Sequence, residues 1–222
     1  MTPIAHIRSP FPEKFGIPRQ SNIVTDITST IVFTPSFRNP DALRGIDEFD
    51  YIWLIWQFSE NLRDEWSPTV RPPRLGGNKR MGVFATRSSF RPNGLALSSV
   101  RLIDVQLNSP EGPLLHVAGA DLLDGTPIFD IKPYLPYTDS HPDARSGFAP
   151  VPADRLLDVD IPPSLADKIP IPLRRPLVDL LAHDPRPSYH DDPDREYGMR
   201  YNSFNVKFKV SSDNVLTVIN IF

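Results

Sequence analysis

Proline occupies 26 of the 222 positions, about 12% against the roughly 5% usual for globular chains, and it limits the possible folds more than any other feature. Inside a helix proline removes a backbone hydrogen bond and clashes with the preceding turn; in a sheet it is confined to edges and strand ends. Such a chain is ill suited to long helices and well suited to short strands joined by stiff loops. The strand candidates agree. Pro3–Ser9, Ser29–Thr34, Gly82–Arg87, Leu114–Leu122 and Thr126–Ile131 are short and separated by turn signals. Tyr51–Phe58 is apolar almost throughout, as in a strand buried on both faces. Leu95–Leu107 is longer, and in its second half Ile103, Val105 and Leu107 alternate with Asp104 and Gln106. Asp41–Ile46 reads as one helical turn with an aspartate near its start. The set predicts a mainly β protein whose N-terminal part is a closed or nearly closed β-barrel.

The pattern breaks at Thr138–Gly147 into Asp, Ser, His, Pro and Gly. Beyond it, Pro163–Ile169 and Arg174–Ala182 are candidate helices. Phe204–Val210 and Val215–Phe222 flank the four-residue loop Ser211–Asn214 as a hairpin, with Val206, Phe208 and Val210 inward and Lys207 and Lys209 outward. The expected organisation is a barrel domain at 1–147 and a small α+β domain at 148–222.

Several chemistries are excluded. The chain has no cysteine, so disulfides, thiolate metal sites and cysteine nucleophiles are ruled out. No G-x-G-x-x-G, P-loop or G-x-S-x-G motif occurs, so a Rossmann dinucleotide site and a hydrolase elbow are not signalled. The five histidines have no H-x-x-x-H spacing and read as packing or surface residues, so no metal is expected. No apolar run reaches the ~20 residues of a membrane span, and Met1–Arg8 has no secretory core, so a cytoplasmic protein is expected.

Charge is unevenly placed. Residues 63–101 carry eight basic and two acidic side chains, whereas 102–170 carry eleven acidic and four basic ones, beneath a net charge of −3. Arginines outnumber lysines 18 to 6, and the guanidinium fork suits phosphate and carboxylate. Two readings follow. Either opposite patches face each other, or the basic block is a groove for a polyanion such as nucleic acid.

Four segments are over-determined for plain loops: KFGIPRQ at 14–20, VRPPRLGGNKRMGVFATRSSFRPNG at 70–94, DLLDGTP at 121–127 with DIKPY at 130–134, and DPRPSY at 184–189. The second sets arginines on a proline-stiffened backbone beside Gly76 and Gly77, which lowers the entropy lost on binding an anion and allows close approach. Asp124-Gly125 is a tight-turn signal.

On these four segments the chain closely resembles the TrmO family (also called TsaA or YaeB-like) of S-adenosylmethionine-dependent tRNA methyltransferases. The resemblance implies a non-Rossmann β-barrel methyltransferase domain with a small C-terminal domain, and a homodimer with S-adenosyl-L-methionine bound near the interface. It implies methyl transfer to the N6 nitrogen of (threonylcarbamoyl)adenosine at tRNA position 37, beside the anticodon. Carried over by motif, the cofactor contacts would be Pro18, Arg19, Gln20, Ser59, Glu60, Arg87, Leu97, Leu123, Asp124, Gly125 and Thr126. The chain departs from the family at Gly94-Leu95-Ala96, where Pro-Ile-Gly is common, and at Ser59, where histidine is frequent.

Transfer to an exocyclic nitrogen requires a group to take its proton. The candidates are Asp124, Asp130 and Tyr134, with Lys132 as an orienting charge; Asp130 and Lys132 alternatively pair with each other. RNA contacts are expected from Arg71, Arg74, Lys79, Arg80, Arg91, Arg186 and Tyr189. Two other functions fit the same residues: a barrel methyltransferase of a small molecule, and a cofactor- or RNA-binding module without turnover.

Overall fold

In the computed structural model, which describes residues 1–60, 65–149, 156–187 and 192–222, six strands of the N-terminal part close into a barrel. In chain order they are β1 (Ala5–Arg8), β2 (Thr28–Phe33) and β3 (Tyr51–Gln57), then, after a separate two-stranded ribbon of β4 (Thr69–Val70) and β5 (Met81–Gly82), β6 (Leu95–Gln106), β7 (Leu114–Ala118) and β8 (Pro127–Pro133). Barrel neighbours run antiparallel in the order β1-β2-β7-β6-β3-β8, and β8 returns to β1. Closure leaves no sheet edge exposed, which suits strands this short. Alternation along each strand sends Ile7, Ile31, Ile52, Leu54, Val100, Leu115, Val117 and Ile128 into one core.

Several strand readings need correction. The run at Tyr51–Phe58 is not buried on both faces: Ile52, Leu54 and Trp56 point inward, while Tyr51, Trp53 and Ile55 lie half-buried outside, because an antiparallel barrel has a single interior. Gly82–Arg87 is not a strand. After β5 the chain tightens into a 3₁₀ turn at Val83–Ala85, closed by the Thr86 hydroxyl donating to the Val83 carbonyl at 2.8 Å. In β6 a bulge between Leu102 and Asp104 resets the alternation, so Val105 packs inward while Ile103 and Leu107 are exposed. The strand expected at Leu114–Leu122 ends at Ala118, because Gly119 turns the chain at φ +77° with Asn22 packed against it.

A short helix, α1 (Pro136–Asp139), follows β8 and is tied to the barrel by the Trp53 indole donating to Asp139 at 2.8 Å; the C-terminal part contains β9 (Asp158–Asp160), α2 (Pro163–Ala166), α3 (Ile171–Ala182), β10 (Tyr197–Tyr201), β11 (Phe204–Val210) and β12 (Val215–Ile221). Each helix starts with proline in its first turn, where the missing N–H costs nothing. The sheet order is β10-β11-β12-β9, with β9 parallel to β12. The hairpin and its inward Val206, Phe208 and Val210 are as expected.

A second core forms between this sheet and α3, and it includes Phe11, Val24 and Ile27 from the segment between β1 and β2. That segment is clamped to β10. The Asn202 amide donates to the Pro10 carbonyl at 2.7 Å, the Arg200 amide donates to Glu13 at 3.0 Å, and Gly16, at φ +96°, lies against Met199. The 14–20 motif is therefore anchored to the C-terminal core, with Phe15 and Ile17 packed against it.

Candidate functional site

The clamped segment brings distant motifs together. Lys14 pairs with the Glu60 carboxylate at 3.3 Å and donates to the Glu60 carbonyl at 3.2 Å, fixing the loop to the end of β3. Arg19 donates to the carbonyls of Asp184 (3.4 Å) and Arg186 (2.9 Å), which ties it to the 184–189 motif. Arg87, from the basic block, donates to the Gln20 side-chain carbonyl. Asp121, at the head of the third segment, joins this network. Its carboxylate accepts from the Ser98 hydroxyl at 2.6 Å and from the Ser21 amide, with the Arg87 charge nearby. The Trp56 indole in turn donates to Ser98 at 3.0 Å. Burial raises the Asp121 pKa above its usual 3.8, against the opposing pull of these hydrogen bonds and of Arg87.

The sequence places Asp121 at the head of the third over-determined segment but gives it no role. The available signal was a carboxylate at the end of an apolar strand candidate, close to a turn; nothing local revealed Ser98, 23 residues upstream, as its partner.

Among the expected cofactor residues, Leu97 is 53% exposed on the outer face of β6, Ser59 and Glu60 are exposed, and Pro18 is half-buried in the clamped loop. Thr126 is buried and donates to the Leu123 carbonyl at 2.7 Å, closing the turn in which Gly125 takes φ +75°. Asp124 is exposed on that turn and accepts from the Ser9 amide at 3.0 Å. Gly94 adopts φ +58° while its carbonyl receives the Phe58 amide at 3.1 Å. Proline, locked near −65°, cannot take that conformation, so glycine here permits a loop shape that Pro-Ile-Gly would forbid.

The proposed proton-handling residues spread along β8. Asp130 and Lys132 pair at 3.2 Å on the outer barrel face. Tyr134 packs on Trp53 and Tyr51, at the end of β3 opposite Glu60. Six residues of strand, roughly 20 Å at about 3.3 Å each, separate the two ends, so one chain does not bring Tyr134 to the cluster.

On the basic side, Arg71, Lys79 and Arg80 are exposed and meet no carboxylate among the described residues. Arg74 lies in the 3₁₀ turn Pro73–Leu75, followed by Gly76 and Gly77 at φ +68° and +71°. Arg91 is drawn inward onto the carbonyls of Thr86 (2.7 Å) and Val83 (3.2 Å). Arg186 grips Asp184 through two hydrogen bonds of 2.8 and 2.9 Å. Tyr189 lies outside the described residues. Among the described residues, no group of three or more His, Asp or Glu side chains gathers as a metal site would, and no helix is long and apolar enough to cross a membrane.

Comparison with known proteins accounts for the shared geometry. Family models described as the tRNA-methyltransferase O N-terminal domain and the TrmO C-terminal domain match residues 6–140 and 162–222. The tRNA (adenine(37)-N6)-methyltransferase of Escherichia coli is 38% identical over 216 residues, covering 94% of this chain and 92% of that protein. RcsF of Pseudomonas aeruginosa, which carries the name of an S-adenosylmethionine-dependent methyltransferase, is 40% identical over 228 residues, covering 100% and 96%. A crystal structure of TrmO from Pseudomonas aeruginosa superposes with a TM-score of 0.79 at 33% identity, covering 100% of this chain and 96% of that one. Both family models together match most of the sequence, and the fold agrees: the chain belongs to the tRNA-methyltransferase O (TrmO) family.

Proposed function

We propose that this protein transfers the methyl group of S-adenosyl-L-methionine to the N6 nitrogen of adenosine 37 of tRNA, with threonylcarbamoyl-adenosine as the acceptor. The observation that carries this reading is the meeting of Arg87, Gln20 and Asp121, from three separate segments, near the strand end that presents Ser59 and Glu60.

The residue set suits the cofactor. Guanidinium, amide and carboxylate groups lie together near the exposed Leu97, the mixture that a zwitterion joined to a purine nucleoside requires. When bound, S-adenosyl-L-methionine supplies an electrophilic methyl group on a sulfonium. Gln20 holds Arg87 in a fixed orientation to receive a carboxylate, and the Lys14–Glu60 pair keeps the loop closed over the strand end. Pre-set geometry of this kind supplies much of the acceleration in a displacement that needs in-line attack. Asp124, exposed on its turn with the Ser9 amide against one oxygen, takes the proton that N6 must lose. The Asp130–Lys132 pair shapes the outer face of β8.

A homodimer fits the outer face of β3 and β6, where Ile55 lies opposite Leu97 and Trp53 opposite Ser99. Leu97 would then lie at both the interface and the pocket, and Leu97→Glu should give a monomer in analytical ultracentrifugation. A cytoplasmic location fits a tRNA substrate. The decisive assay incubates the protein with methyl-labelled S-adenosylmethionine and tRNA, then analyses anticodon-loop nucleosides by mass spectrometry. The expected product is N6-methylated at position 37. Label found only in small metabolites, or cofactor binding without release of S-adenosylhomocysteine, would refute the reading. Asp124→Asn keeps an acceptor for the Ser9 amide and should lose turnover while retaining cofactor binding; full activity would remove Asp124 from the mechanism.

A further inference from the structure

We propose that Trp66 and Phe84 form a stacking platform for an unpaired RNA base, standing outside the cofactor pocket beside the β4–β5 ribbon. The proposal rests on the reading that the substrate is a tRNA and assigns that substrate a contact so far given to no residue.

Both rings are open to solvent, Phe84 at 70% and Trp66 at 49%, yet they lie against each other with centroids 5.9 Å apart and planes 23° apart. The arrangement is built in. Val83, next to Phe84, is buried, and its carbonyl accepts from both the Thr86 hydroxyl and Arg91. Arg91 also holds the Thr86 carbonyl and places its guanidinium over the Phe84 ring at 5.8 Å. Phe84 therefore cannot fold inward without undoing the turn that anchors Val83. On the other strand, the Ser67 hydroxyl donates to the Thr69 carbonyl at 2.6 Å, at the start of β4. Pairing of Thr69 with Gly82 and Val70 with Met81 then holds the two aromatic segments side by side.

The occupant follows from charge. The loop closed by this ribbon carries exposed Arg71, Lys79 and Arg80, and two left-handed glycines allow its backbone to approach a ligand closely. An apolar peptide would use the rings but gain nothing from the cations, and a bare anion would do the reverse. A flat base on a phosphate chain uses both, and only an unpaired base has a free face to stack. Rings and cations together mark the part of an RNA where bases are splayed out, such as a hairpin loop.

The test uses the full-length protein with a short single-stranded oligoribonucleotide and with tRNA. Trp66 is one of three tryptophans, and the other two, Trp53 and Trp56, belong to the barrel. RNA should quench the wild-type indole emission, and Trp66→Phe should lose most of that quench while keeping most of the affinity. Phe84→Leu and Trp66→Leu should each weaken oligonucleotide binding roughly five- to hundredfold, the range for loss of one base–aromatic stack. Affinity for S-adenosylmethionine should be unchanged in both, which also reports that they fold. Leucine variants that bind RNA as the wild type does would overturn the platform, as would variants that lose only self-association. If the wild type binds and quenches but methylates no tRNA, the platform stands and the functional reading falls. If it methylates tRNA and the variants keep the same KM, the reverse holds.

Discussion

Asp121 is a carboxylate held in a place that disfavours its charge. Burial raises its pKa above 3.8, so the folded protein keeps a proton over a range where the unfolded chain has released it. The stabilising contribution is therefore fully present below pH 3.8 and is lost as pH rises through the folded-state value. Asp121→Asn removes that dependence. Urea midpoints measured between about pH 4 and pH 7 should fall less in the variant than in the wild type. Methyl transfer should fall at least about tenfold, because Arg87 loses its countercharge while Ser98 keeps an oxygen to donate to. Gly16 makes a different demand. At φ +96° a side chain is strained, and a Cβ would lie 2.3 Å from the Met199 sulfur, which is itself buried. Gly16→Ala should cost roughly 2–4 kcal/mol in chemical denaturation, combining left-handed strain with overpacking.

At the scale of elements, strands with uninterrupted alternation were legible and those with a local irregularity were not. The hairpin Phe204–Val210/Val215–Ile221 was located, and the facing of β11 was read, because Val206, Phe208 and Val210 keep period two up to the turn; in β12 a register shift opposite Lys207–Phe208 breaks the alternation between Val218 and Ile221. Phe208 is its deepest anchor, fully buried and stacked on Tyr197 with centroids 5.5 Å apart, so Phe208→Ala should cost about 3–5 kcal/mol in a denaturation series. The existence of β6 was legible but the facing of its second half was not, since the extra residue between Leu102 and Asp104 shifts which side chains face the core and nothing in Leu102-Ile103-Asp104 announces it. β10 was missed. Tyr197, Met199 and Tyr201 alternate inward, but Gly198 and Arg200 between them weaken the strand signal, and pairing with β11 supplies what propensity lacks.

The whole molecule depends on one segment that fills the C-terminal core and hydrogen-bonds to the barrel side. Phe11, Val24 and Ile27 are buried against the C-terminal sheet, while the residues between them bond to Glu60, Arg87 and Ser99 of the barrel side. A chain ending at residue 149 should keep β-type circular dichroism, yet bind a hydrophobic dye and lose cofactor affinity, because the 14–20 motif has lost its support. For the basic face, tRNA affinity should fall steeply with salt, and replacing Lys79 and Arg80 by glutamine should reduce the slope by roughly 1.4 if each meets one phosphate of a single-stranded region. The sequence by itself determined the barrel-plus-sheet class and the four motif segments, through proline density, alternation and local residue chemistry. Tertiary structure alone decided that Asp121, Arg87 and Gln20 meet, that Tyr134 stands at the far strand end, and that Trp66 and Phe84 face solvent together. The reason is physical: propensity and alternation act within a few residues, whereas these arrangements depend on strand register, on a bulge and on a loop anchored to the C-terminal core and bonded to the barrel side, all of which exist only once distant segments have packed.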